Sequence, residues 1–150
     1  MFSFQSWAKA DDIRDFEIEG ISIGDSALDF FSKDQIESRN KTWYPSKEYF
    51  LIYFPKYNDS KEYDQVSLSL KNGDMNYEIK ALGGTILYKE NIEECYSKKD
   101  KIVKDLSAVF KDITDKKDVG TFKLSGDASG KSNATTVNFF FKNDSLISVQ

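Results

Sequence analysis

The sequence predicts an α+β protein, in which antiparallel sheets accompany a pair of short N-terminal helices and one long amphipathic helix. Residues 64–71 alternate between apolar and polar, and the turn signal Asn72-Gly73 follows them directly. Residues 91–113 carry apolar side chains at spacings of three and four, which is the period of an amphipathic helix. Aromatic residues make up 15% of the chain, which favours strands and a bulky core. Hairpins with helices on one face are typical of the α+β class.

The first elements are short. Residues 11–20 are acidic with a few apolar positions, and they predict a lead-in that forms an edge strand. Asp25 is placed to cap a short helix that carries Leu28 and Phe31 on its inner face. Residues 32–35 (SKDQ) form a capping-box pattern, which predicts the start of the second short helix.

The central region predicts a meander of strands. The segment EYFLIYF is apolar on both faces, as expected of a central strand, and Pro55 ends it. After the Asn72-Gly73 turn the chain returns as a strand, and Gly83-Gly84 predicts a bulge or a sharp bend. The predicted strands of this region cover residues 48–54, 64–71, 77–81 and 86–88.

The long helix over 91–113 is the clearest element of the second part of the chain. Asn91 with Glu94 predicts its capped start, and Cys95 falls on its apolar face, where we expect it to fill the core. The charged residues 112–118 predict a linker. The remaining predicted strands cover residues 121–124, 135–141 and 146–149. This order of elements predicts one α+β domain over residues 11–150, with possible αβββ halves at 20–89 and 90–150.

Composition excludes several classes of function. The chain has 150 residues, which suits one domain, and its 21 basic and 25 acidic residues are interspersed. This mixture predicts no nucleic-acid partner and no polybasic membrane patch. No run of apolar residues approaches the ~20 needed to span a membrane, so we expect no integral membrane segment. Histidine is absent, which excludes Ser-His-Asp triads and His-ligated zinc sites. We therefore predict no enzyme activity, no metal and no cofactor.

Residues 1–10 predict the remnant of a secretory signal peptide. Ala8-Lys9-Ala10 has the small-x-small pattern of a cleavage site, and Phe2, Phe4 and Trp7 fit the end of an apolar segment. The alternative is an ordinary N-terminus that contains this pattern by chance. A cleaved leader predicts a periplasmic or secreted protein.

One loop imitates a phosphate-binding motif. The segment SGDASGKS ends in Gly130-Lys131-Ser132, but the glycine spacing of a P-loop is wrong, and the following TTVNFFF has the chemistry of a strand. We therefore expect a flexible loop and no nucleotide site. Its polar side chains remain candidates for ligand contact, since loops often carry function: Asp127, Ser129 and Lys131.

A group of aromatic residues provides the candidate partner contacts. Exposed aromatic side chains give a large contact area at low conformational cost. The candidates are Trp43, Tyr44, Tyr53, Tyr57 and Tyr63. The alternative is that these side chains only edge the core.

A local resemblance supports a contact function. The segment GISIGDS at 20–26, followed by Leu28, Phe31 and Trp43-Tyr44, resembles the helix-turn unit of the outer-membrane assembly lipoprotein BamE (SmpA/OmlA family) and of β-lactamase-inhibitor-protein folds. It covers residues 18–54, and the Gly-x-Pro and the lipidated cysteine of those proteins are missing. The chain also resembles small exported proteins of marine alphaproteobacteria. Both resemblances imply an exported protein that works by contact.

The functional prediction is therefore an exported, non-catalytic binding or protein-interaction module. Two alternatives stay open. One is a carrier with a Phe-lined cavity of a few hundred Å³ for a small apolar ligand. The other is an enzyme that uses two carboxylates about 5 to 9 Å apart.

Overall fold

The computed structural model of this protein describes residues 12–60, 62–111, 114–124 and 127–150. The chain divides into two compact units, one formed by Arg14–Leu87 and the other built mainly from Tyr88–Gln150. The predicted signal remnant at residues 1–10 lies outside the described residues.

The predicted α+β class, with antiparallel sheets and one long helix, is confirmed. The first unit holds β1 (Glu17–Ile18), β2 (Ile21–Ser22), α1 (Lys33–Glu37), β3 (Thr42–Trp43), β4 (Tyr49–Pro55), β5 (Gln65–Lys71) and β6 (Ile79–Thr85). The second unit holds α2 (Ile92–Val109), β7 (Thr114–Lys123), β8 (Asn133–Phe141) and β9 (Leu146–Val149). Short 3-10 turns cover Ile13–Asp15, Ala27–Asp29 and Tyr57–Asp59.

The first unit is organised around an antiparallel sheet in the order β3-β4-β5-β6. Its register places Phe50 opposite Leu70 and Leu70 opposite Ile79, so these apolar side chains share one face. We call it the inner face, because its residues form the buried core together with β1, β2 and the short helical elements. Phe31 reaches this core from the segment before α1, and its ring stacks on Phe54 with the centroids 3.7 Å apart.

The segment predicted as a first short helix forms a 3-10 turn over Ala27–Asp29. The cap is Ser26, whose hydroxyl accepts from the N–H of Leu28 at 3.2 Å. Asp25 instead accepts from the N–H of Ser22 at 2.8 Å and closes the preceding turn. Leu28, expected on the inner face, is 42% exposed, since a three-residue turn is too short to direct both Leu28 and Phe31 inward.

The capping box that was predicted for the second short helix is confirmed. The Ser32 hydroxyl accepts from the N–H of Gln35 at 3.2 Å, and the Gln35 side chain accepts from the N–H of Ser32 at 2.8 Å. The helix that follows, α1, has only five residues.

The hairpin between β5 and β6 forms, and Asn72-Gly73 begins its connection. The connection runs on to residue 78, because the Asp74 carboxylate accepts from the N–H groups of Asn76 and Glu78, both at 3.0 Å. These backbone hydrogen bonds hold the pKa of Asp74 below its usual value. The predicted irregularity at Gly83-Gly84 lies instead at Lys80, where the register of the two strands shifts.

The long helix α2 begins as predicted and ends earlier. The Asn91 side chain accepts from the N–H of Glu94 at 3.1 Å, and the helix ends at Val109. Cys95 is a free, half-buried cysteine. The buried face of the helix region carries Lys99, Val103, Leu106 and Phe110. Phe110 meets Phe141 of β8 edge to face, with the ring centroids 5.2 Å apart.

The prediction of a charged linker over 112–118 was wrong from residue 114 onward. These residues belong to β7, which pairs with β8 along its whole length in a sheet of order β7-β8-β9. The charged residues lie on an exposed edge strand. Because solvent reaches both faces of β7, its sequence shows no alternation of apolar and polar residues.

Candidate functional site

Two of the five aromatic candidates lie on the outer face of the four-stranded sheet, opposite the core. Tyr53 pairs with Ser67 of β5, and both side chains lie on the face that points away from the core. The N–H of Tyr44 donates to the carbonyl of Tyr49 at 3.1 Å, so strand pairing continues past β3 and puts Tyr44 on the same face. The two side chains are 42% (Tyr44) and 39% (Tyr53) exposed.

We name this surface the outer tyrosine face and define it by Tyr44, Tyr49, Leu51 and Tyr53. Tyr49 and Leu51 are half-buried residues of β4. They lie between Tyr44, which is opposite Tyr49, and Tyr53, which is further along β4. The strands beside this ridge carry small side chains in the same rows: Ser67, Ala81, Gly83 and the buried Ser69. The outer tyrosine face thus forms a ridge of large side chains, and the small side chains of β5 and β6 form a lower shelf beside it.

Gly83 keeps this shelf low. A methyl group on Gly83 would lie 2.6 Å from the hydroxyl oxygen of Ser67, its neighbour across the strands. At one end of the face Lys71 and Glu48 form an exposed ion pair at 3.5 Å, which contributes little to stability. The ridge itself is uncharged.

Trp43 lies elsewhere. It pairs with Phe50 and shares the inner face, and the two ring centroids are 5.2 Å apart. Its indole is 43% exposed because β3 is the edge strand of the sheet. Trp43 therefore covers the margin of the core and does not extend the outer tyrosine face.

Tyr57 and Tyr63 pack against the core of the first unit. The Tyr57 ring lies 4.8 Å from that of Phe31, between centroids. Burial raises the pKa of the Tyr63 phenol to about 12, with smaller contributions from the charges of Glu62 and Glu19. Tyr57 and Tyr63 therefore fit the alternative interpretation, in which the tyrosines lie only at the edge of the core.

The loop candidates form a closed turn. The Asp127 carboxylate accepts from the backbone N–H of Ser129 at 2.8 Å, of Lys131 at 3.1 Å and of Ser132 at 2.7 Å. It also accepts from the Ser129 hydroxyl at 2.9 Å. The bonds from Ser132 and then Ser129 hold the pKa of Asp127 well below its usual range. Asp127 and Ser129 thus organise this loop, and the Lys131 side chain is exposed.

The second unit has an unusual polar site on the sheet face away from Phe139 and Phe141. The side-chain oxygens of Thr136 and Asn138 are buried there without a hydrogen-bond partner. Buried polar atoms of this kind are rare and cost stability. Exposed apolar side chains share this face: Phe122, Phe140 and Leu146.

Among the described residues, no group of three or more acidic, cysteine or histidine side chains is placed to hold a metal ion. Over the same residues, none of the helices combines the length and the apolar character that crossing a membrane requires.

Sequence reasoning missed Tyr49 and Leu51 as members of the candidate site. The signal was present, because β4 is apolar at both odd and even positions while only one face of its sheet packs on the core of the first unit. The two residues that the structure brings together with them are Tyr44 and Tyr53, which the sequence did single out.

Comparison of the chain with family models, with curated proteins and with solved structures gives no match. The resemblance to BamE stays a prediction.

Proposed function

We propose that this protein is a non-catalytic binding module that holds a protein partner on the outer tyrosine face. The observation that carries the proposal is the pair of exposed tyrosines, Tyr44 and Tyr53, on one uncharged sheet face with the half-buried Tyr49 and Leu51 between them. Tyrosine gives an amphipathic contact with two side-chain torsions to immobilise, and it is enriched at the centres of protein interfaces.

The shelf beside the ridge supports the same proposal. Small side chains at Ser67, Ala81 and Gly83 let a partner backbone approach the sheet closely, while the ridge supplies apolar area. An uncharged ridge favours a partner segment with apolar and hydroxyl-bearing side chains, because a charged segment loses hydration there without an opposite charge in return.

A crosslinking experiment tests the proposal. A photoreactive benzoylphenylalanine replaces Tyr53, or Tyr44, in the native host. The control position is Met75, which is 70% exposed in the turn between β5 and β6. We expect one discrete crosslinked protein from the two tyrosine positions and none from position 75. Equal crosslinking from all three positions, or none from the tyrosines, would contradict the proposal.

Substitutions then measure the contribution of the face. Tyr53→Ser and Tyr44→Ser are each expected to weaken binding of the crosslinked partner by roughly thirtyfold, the effect of a central interface residue. Tyr96→Ser on α2 removes an equally exposed tyrosine outside the face and is expected to leave binding unchanged. Thermal unfolding of all three variants controls for loss of fold.

We further propose that the module works outside the cytosol, after export with residues 1–10 as the leader. The support is the Ala8-Lys9-Ala10 pattern in the sequence. N-terminal sequencing of the native protein from fractionated cells tests it. A mature chain that starts at Asp11 in the periplasmic fraction is expected, and an intact N-terminus among cytosolic proteins would refute export.

The division into αβββ halves over 20–89 and 90–150 is also part of the proposal. It is supported by the two larger sheets, each of which is formed by strands from one of these ranges, with β3 as a fourth strand in the first. Limited proteolysis that cuts first between the two ranges is the expected result, and first cuts inside either sheet would oppose it.

A further inference from the structure

The outward edge of β9 carries backbone hydrogen-bonding groups that pair with none of the described residues. Within the described residues, β9 pairs with β8 alone. The N–H of Phe141 donates to the carbonyl of Ser145 at 2.9 Å, which makes them a hydrogen-bonded pair. Such pairs alternate along an antiparallel ladder, so the backbone groups of Leu146 and Ser148 point away from β8.

The opposite edge of the same sheet is protected against pairing. β7 is exposed over nearly its whole length, and at Val119 its register with β8 shifts, with Gly120 at a φ of +75°. A bulge and a row of charges are the devices by which edge strands avoid unwanted partners. The charged residues of β7 are Asp115, Lys116, Lys117, Asp118 and Lys123.

β9 has none of this protection. It contains no charge, no proline and no glycine, and its side chains alternate between exposed Leu146 and Ser148 and buried Ile147 and Val149. We propose that β9 is a dimerisation strand, and that its occupant is the β9 strand of a second copy of this chain.

The alternation of side chains limits the register of such a pair, and we place its two-fold axis at Ser148. Residues that face each other in an antiparallel pair lie on the same side of the sheet, so buried residues must meet buried residues. A two-fold axis at Ser148 meets this condition, because Ile147 then faces the partner's Val149 and Ser148 faces the partner's Ser148. In this register the outward N–H of each Ser148 donates to the carbonyl of the other.

The contrast between the two edges also decides the kind of assembly. An edge that pairs only with its own copy gives an isologous interface, which closes after two chains. Pairing of β9 with β7 of another copy would give an open fibre, and the bulge and charges of β7 oppose it. The strand is short, so we expect a weak dimer with a dissociation constant of about 10 μM to 1 mM.

Sedimentation velocity of the whole chain across about 10 μM to 1 mM tests the proposal. The wild type is expected to pass from monomer to dimer. Ser148→Pro removes an outward N–H without touching the β8 ladder and is expected to weaken the dimer about tenfold or more. The matched control, Ser148→Ala, keeps the N–H and is expected to dimerise like the wild type.

A second variant and a second readout guard against a misfolded proline variant. Ser148→Lys leaves the backbone unchanged but sets two like charges directly opposite each other in the dimer, so it must also weaken association. Amide exchange at Ser148 is expected to slow as the protein concentration rises.

Three results would overturn the inference. One is a monomer at all concentrations whose Ser148 amide exchanges freely. Another is a dimer that Ser148→Lys does not weaken. The last is assembly beyond the dimer in the wild type.

Discussion

Tyr63 lies so close to Gly84 that a methyl group on the glycine would be 2.5 Å from both Cδ1 and Cε1 of the ring. The same methyl group would lie 3.2 Å from the Cγ2 atom of Ile18, which is on β1. The absence of a side chain at position 84 therefore lets a tyrosine from the chain before β5 and an isoleucine from β1 close over β6.

This contact predicts that Gly84→Ala destabilises the first unit by about 1–3 kcal/mol, the usual cost of forcing an extra methyl into a packed site. Chemical denaturation measures the change. Tyr63→Leu removes the ring atoms that the methyl would strike, so the double variant should be more stable than the sum of the two single effects by roughly 1 kcal/mol. Simple additivity would show that the ring does not cause the strain.

The raised pKa of Tyr63 predicts a loss of stability at alkaline pH. Its folded pKa of about 12 exceeds the unfolded value of about 10, so the stabilisation is complete below about pH 10 and is lost as the pH rises towards 12. Denaturation curves across this range, compared between wild type and Tyr63→Phe, isolate the phenol. The variant should lose stability less steeply. An unchanged slope in Tyr63→Phe would contradict the prediction.

The unpaired hydroxyl of Thr136 predicts a stabilising substitution. Thr136→Val keeps the β-branched shape and removes a buried oxygen that has no partner, so we expect a gain of about 1 kcal/mol in the free energy of unfolding. Thr135→Val is the matched control, because its hydroxyl is hydrogen-bonded to that of Thr121 at 2.9 Å. The control should be neutral or destabilising. A destabilised Thr136→Val would mean that the hydroxyl has a partner in solution.

The Asp127 loop predicts a carboxylate that stays ionised in acid. Its hydrogen bonds from Ser132 and Ser129 lower the folded pKa, so the stabilisation is present above the unfolded value of about 3.9 and is lost as the pH falls through the folded one. Carboxyl carbon NMR shifts follow the titration directly.

Substitution gives a second test of the same loop. Asp127→Asn should speed amide exchange at Ser129 and Ser132, which donate to the carboxylate. Lys131→Ala should not, since only the backbone N–H of Lys131 takes part. A titration midpoint at the ordinary value would refute the prediction.

Elements whose side chains follow one period were predictable from the sequence. The alternation of β5 and β9 and the three-four spacing of α2 each have one buried face, and burial is what creates such a pattern. The capping box at Ser32 was predictable because its two hydrogen bonds join residues three apart.

Elements that depend on distant pairing were not predictable. β7 shows charges on both faces because it lies at an edge, and the same composition is typical of a loop. The prediction of the candidate site was partly wrong for a related reason. Whether Trp43 and Tyr44 face the core or the outside depends on pairing with Phe50 and Tyr49, and the turn over 45–48 sets that register.

The four-stranded sheet is built from hairpins that all lie between Thr42 and Thr85. During synthesis its last strand, β6, leaves the ribosome before any residue of α2 does. The aromatic core around Phe31 and Phe54 can thus close while the remainder of the chain is still being translated.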